Sequence, residues 1–162
     1  MEPPSTYRIH ILNDSGRELQ LEALGKTLRD ALQILSLPSG DLSVRICTDE
    51  EIRSLNRRFR EIDQVTDVLT FPADPTFPTC DVPPLGDIAI AAGQASRQAD
   101  GRRITLEEEV AYLAIHGLLH LTGLDDETEA EREVMVGEMS RIGTQIGLPR
   151  IDDWHTMPAG LK

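Results

Sequence analysis

VAYLAIHGLLHLTGLDD (Val110–Asp126) is apolar at nearly every position as far as Leu121 and then breaks at Gly123. A helix that is apolar all round is packed inside a domain, because it has no face to give to water. Thr105 and Glu108 form a capping box that opens this helix. Gly123 closes it, since glycine accepts the positive φ that turns a chain back at a helix end. The rest of the chain has to supply the layers that cover it.

Working outward, Tyr7–Leu12 and Leu42–Cys47 alternate apolar and polar residues and predict two strands. Val68–Phe71 and Asp87–Ala91 predict a third and a fourth. Leu19–Leu37 carries apolar residues at positions 21, 24, 28, 32 and 35, a helical spacing stopped by Pro38-Ser39-Gly40. Thr48 and Glu51 make a second capping box, opening a helix to about Phe59 with Ile52, Leu55 and Phe59 on one face. Residues 72–84 include five prolines and read as a loop. A short helix is expected near Gly93–Asp100. A last one runs from about Glu127, with Met135, Met139, Ile142 and Ile146 as its core stripe and Gly147 as its stop. The sum is an α+β domain: a small mixed sheet of about four strands, packed with helices around one buried central helix.

A chain of 162 residues, 40% of them hydrophobic, is one domain rather than two, with an ordered core expected over about 7–150 and short tails. No apolar run reaches the roughly 20 residues of a membrane span, and the start (MEPPSTYR) lacks a signal-peptide pattern. Cys47 and Cys80 are far apart with no C-x-x-C, so a reducing cytoplasm is expected. Sixteen basic against 28 acidic residues give a net charge of −12, which argues against a broad nucleic-acid surface but not against a local basic cleft.

His116 and His120 are four apart, so both imidazoles leave one face of the buried helix a turn apart. After Gly123, Asp126 can bring a carboxylate to the same ion. Two imidazoles and a carboxylate with a fourth position open form the pattern of a catalytic zinc site rather than a closed structural one. Two competing readings are core histidines bonded to backbone carbonyls, and Asp125 or Asp126 as a helix cap. The spacing H-x-x-x-H-x-x-G-x-x-D, which is similar to that of the metzincin proteases, favours the metal. In those proteases the residue after the first histidine is a glutamate general base; here it is Gly117, which weakens a peptidase reading.

HGLLHLTGLDD (His116–Asp126) resembles the signature H-G-x-L-H-L-x-G-x-D-H of the YbeY family of metal-dependent endoribonucleases. LNRRFREIDQVTDVLTFP (Leu55–Pro72) and LGDIAI (Leu85–Ile90) resemble two further blocks of that family. The resemblance implies a single-strand-specific endoribonuclease acting in 16S rRNA 3′-end maturation and late-stage 70S ribosome quality control. Single-stranded rRNA and the ribosome or small-subunit proteins would be its partners, and one zinc ion per chain its cofactor. It implies His116 and His120 as metal ligands and Arg60 as the catalytic arginine beside the metal. Its third ligand is usually histidine, where this chain has Asp126. The extra negative charge should weaken the ion as a Lewis acid and favour harder metals such as manganese. Arg60 could clamp a phosphate bidentately, or simply be a solvated helix-end arginine beside Arg57 and Arg58, themselves candidates for general phosphate contacts. Asp67 and Asp87 are candidates for supporting or turn residues, with Asp87 expected to cap a turn. His10 and His155 lie outside the motif and are expected to be non-catalytic. The alternatives carried forward are a metal-dependent hydrolase of another bond and a non-catalytic ribosome-binding metalloprotein.

Overall fold

The computed structural model describes residues 4–74, 82–151 and 154. The elements are β1 (Tyr7–Asn13), α1 (Leu21–Ile34), β2 (Gly40–Cys47), α2 (Asp49–Arg60), β3 (Val68–Pro72), β4 (Pro84–Ala91), α3 (Ala92–Arg102), α4 (Leu106–Leu121) and α5 (Glu129–Ile146). The sheet order is β1-β2-β4-β3, with β1, β2 and β4 parallel and β3 antiparallel to β4 at one edge. This is the expected α+β fold with a small mixed sheet. Helix α4 packs on β3 and β4, flanked by α1, α3 and α5, while α2 covers the opposite face of the sheet. Every residue of α4 from Glu109 to Leu119 is buried, as its unbroken apolar pattern requires.

Several boundaries differ from expectation for local reasons. Helix α1 stops at Ile34 rather than Leu37; Ser36 takes φ 53° and Leu37 precedes Pro38, whose ring disfavours helical backbone before it. At the start of α2, Thr48 accepts a hydrogen bond from Glu51 N (3.2 Å), but the Glu51 carboxylate turns to Arg45 and leaves the box half made. Phe59 is 54% exposed rather than packed on the inner face of α2, although its ring meets Phe71 edge-on at 5.2 Å. Strand β4 begins at Pro84, so Asp87 lies within the strand opposite Ser43 and Phe71 and caps no turn. Helix α5 is opened by a capping box of Thr128 and Glu131 that the sequence reading passed over. Past position 150, Ile151 and Trp154 are both buried against the main core. Cys47 is buried beneath α2; Cys80 and His155 lie outside the described residues.

Candidate metal centre

The last two turns of α4 place the His116 and His120 rings 4.6 Å apart between centroids, with their Nε2 atoms separated by 3.0 Å. Beyond the helix, Gly123 (φ +107°) reverses the chain, and Leu124 N donates to Leu119 O (3.1 Å). The turn brings Asp126 Oδ2 to 3.4 Å from His116 Nε2, and its Oδ1 to 3.4 Å from His120 Nε2. From α5, Arg132 Nη1 donates to the carbonyls of Asp126 (3.2 Å) and Glu127 (3.0 Å), tying down the loop that presents the carboxylate.

These distances test whether the residues fit an ion. Ligand bonds of about 2.0–2.2 Å in a tetrahedral shell put neighbouring donor atoms about 3.3–3.5 Å apart. The two imidazole nitrogens lie 3.0 Å apart, each lies 3.4 Å from a different oxygen of the Asp126 carboxylate, and one ligand atom from each residue falls within 4.8 Å of the others. A slight opening between the imidazoles and a small turn of the carboxylate bring them to the spacing of a tetrahedral shell. Two imidazole nitrogens and a carboxylate converging on one point are the donor set that a divalent cation satisfies. Among the described residues, His116, His120 and Asp126 are the cluster that could hold a metal. His116 is 2% exposed, while the His120 and Asp126 side chains keep a partly open side.

That open side faces a cleft of about 350 Å³ along edge strand β3, lined by the three candidate ligands, Thr70, Asp125 and Arg60. Arg60 ends α2 and donates Nη2 to Thr70 O (2.7 Å), which plants its guanidinium at the cleft wall. Arg57 and Arg58 do not line the cleft; Arg58 lies over the Phe59 ring at 5.2 Å. Asp125 lines the cleft but stands outside the ligand cluster. Asp67 is fully buried and braces the sheet: its carboxylate accepts from Val68 N (2.8 Å) and its carbonyl from Ala91 N (2.9 Å). Asp87 and His10 line a separate hollow with Arg45 and Phe59, and His10 Nε2 pairs with Asp41 at 3.0 Å.

Gly117 is pressed onto the sheet. A Cβ there would come within 2.9 Å of Ile88 Cγ2 and 3.1 Å of Thr70 Cγ2. The position at which zinc proteases carry their glutamate therefore has no room for a side chain, and no general base can be supplied from it.

Glu109, on the same helix, is fully buried. Its carboxylate accepts from Arg102 Nη1 (2.5 Å), Gln98 Nε2 (3.1 Å) and Trp154 Nε1 (3.1 Å). Burial pushes its carboxyl above the usual range, and these three partners pull it back. The sequence carries little signal for this group, because Glu109 is the last of three consecutive glutamates in the first turn of α4.

The sequence profile of the family described as Endoribonuclease YbeY matches residues 10–147. A protein named Endoribonuclease YbeY from Geobacillus thermodenitrificans is 39% identical over 81% of this chain and 89% of its own length. A relative of the same name from Aquifex aeolicus is 40% identical over 76% of this chain and 81% of its own. A solution structure of a Thermotoga maritima protein superposes with a TM-score of 0.57 at 27% identity, covering 85% of this chain and 90% of that one.

Proposed function

This chain belongs to the Endoribonuclease YbeY family, and we propose that it cleaves single-stranded RNA at His116, His120 and Asp126 around one divalent metal ion, zinc first among the candidates. The observation that carries the reading is the convergence of three ligand atoms beside an anchored arginine in one open cleft. When bound, the ion supplies Lewis acidity at the scissile phosphodiester. The chain's own residues do the rest. His116 and His120 present ring nitrogens, Asp126 offsets part of the ion's charge, and Arg132 holds the Asp126 loop in register. Arg60 presents a planar pair of N–H donors to a phosphate and stabilises the negative charge that grows there during cleavage.

A single strand suits the site better than a duplex. An unpaired strand can bend a phosphodiester into a recessed cleft of about 350 Å³ more readily than a stiff A-form duplex can. We place the activity in maturation of the 16S rRNA 3′ end and in late ribosome quality control, in the cytoplasm, with the ribosome or its small-subunit proteins as partners. This rests on family membership; no described helix is long and apolar enough to cross a membrane. Peptide hydrolysis is disfavoured by the closed Gly117 position.

The test pairs elemental analysis with cleavage of a labelled single-stranded RNA. The native protein should carry about one metal per chain and lose cleavage to a chelator, while His116→Ala and His120→Ala lose metal and cleavage together. Full metal occupancy in both variants would overturn the site. A metal-bearing protein with no turnover on any RNA would favour the non-catalytic, ribosome-docking alternative.

A further inference from the structure

We propose that Trp154 is a positioning residue for His116, holding that ring in the orientation in which its Nε2 can bind the metal; this rests on the metal reading above. Glu109 and His116 are seven residues apart on α4, so they share one face two turns apart. Trp154, 2% exposed, lies along that face. Its Nε1–H is shared between the two Glu109 carboxylate oxygens at 3.1 and 3.3 Å. Its ring stands 5.4 Å from the His116 ring at 48°. The Arg102 guanidinium lies 5.1 Å over the indole, so the indole contacts a cation as well as the histidine.

The consequence follows from what a ligand imidazole must avoid. A histidine side chain can rotate about its Cβ–Cγ bond, and each off-axis orientation moves Nε2 away from the other two donors. His116 is walled by Trp154 and by the His120 ring, 4.6 Å away. The indole is itself fixed by a buried, multiply hydrogen-bonded carboxylate. The histidine is thereby set before any ion arrives, which lowers the ordering cost of binding. Docking of the segment bearing Trp154 and binding of the ion should stabilise each other, since linkage between two binding events is reciprocal.

Trp154 is the only tryptophan in the chain, so its emission reports this contact directly. Metal-stripped protein is titrated with cobalt(II) while tryptophan fluorescence is followed. Zinc affinity is measured by competition with a chromophoric chelator in wild type, Trp154→Leu, Trp154→Phe and Leu28→Ala. Cobalt should quench the emission saturably at one equivalent. Trp154→Leu should weaken zinc about 10–100-fold, the usual effect of losing a group that orients a ligand. Trp154→Phe, which retains a ring against His116, should recover most of that affinity. Leu28 is fully buried in α1. Its alanine variant should melt earlier yet bind zinc like wild type, separating positioning from general loss of stability. Wild-type affinity in Trp154→Leu, an equal loss in Leu28→Ala, or unquenched emission at saturating cobalt would overturn the proposal. If wild type takes up no zinc or cobalt, the metal reading falls first and takes this inference with it.

Discussion

Asp126 is the residue on which the site's chemistry turns. It lies within 3.4 Å of both imidazoles, whereas Asp125, beside it, stays outside the cluster. Asp126→Ala should therefore strip the ion and Asp125→Ala should leave it. Asp126→His, giving three neutral ligands, should retain a metal that is a stronger Lewis acid, and move the acid limb of the pH–rate profile to lower pH. Metal content and a pH–rate profile on single-stranded RNA check all three; loss of metal from Asp125→Ala alone would show the register to be off by one. Arg60 is tested in the same assay. It is exposed and meets Thr70 O rather than an acid, so Arg60→Ala should barely move the melting temperature. Turnover should fall about 10²–10³-fold, the cost of removing one donor to developing charge. An unchanged rate would return Arg60 to the role of a surface cap on the strand.

At the scale of elements, α4 is held against the sheet by what Gly117 lacks. Gly117→Ala places a methyl group against Ile88 and Thr70 of β4 and β3. The helix must lift or the sheet yield, at about 1–3 kcal/mol, which chemical denaturation would read. Since His116 precedes and Thr70 lines the cleft, the same variant should weaken metal binding as well; unchanged stability would mean that the sheet gives way freely. Gly86 is the matching device on β4: at φ +142°, its absent Cβ would meet Phe71 O at 2.6 Å and Leu121 Cδ2 at 2.9 Å. These two glycines explain why the blocks around HGLLHL and LGDIAI read as they do. Each lets a helix or neighbouring strand approach closer than a side chain would allow. The starts of α2 and α4 were legible because Thr48 and Thr105 each bond an N–H only three residues away.

For the whole molecule, two apolar layers lie on opposite faces of one sheet, and the smaller holds Cys47 beneath α2. Burial first, then the charge of Glu51, raise the Cys47 thiol from its ordinary 9.0 to about 11. A folded pKa above the unfolded one favours the fold while the group is protonated in both states, and that benefit is lost as pH climbs through the folded value. Stability should thus be flat below about pH 9 on this account and fall by about 2–3 kcal/mol between pH 9 and 11. Urea unfolding at pH 8 and 10.5 should show the fall in wild type and a smaller one in Cys47→Ala. An equal fall in both would remove Cys47 as its cause. Tyr112, raised to about 12 by burial and then Glu108, adds a similar loss at still higher pH.

The sequence by itself determined the buried central helix, the types of the elements around it and the three candidate ligands, His116 and His120 before Gly123 and Asp126 after it. Those features are written in periodicity, caps and spacings that act over a few residues, and the meeting of two histidines with an acid is set by their spacing along one helix and the turn that follows it. Tertiary structure alone decided the strand order β1-β2-β4-β3, which makes β3 an edge and gives the cleft its open wall. It also decided that Asp87 sits inside a strand and that the Trp154 ring stands against His116. The bond between Trp154 and Glu109 spans 45 residues. No local pattern encodes such a contact, because it is selected by the burial and pairing of groups that meet only once the whole core has packed.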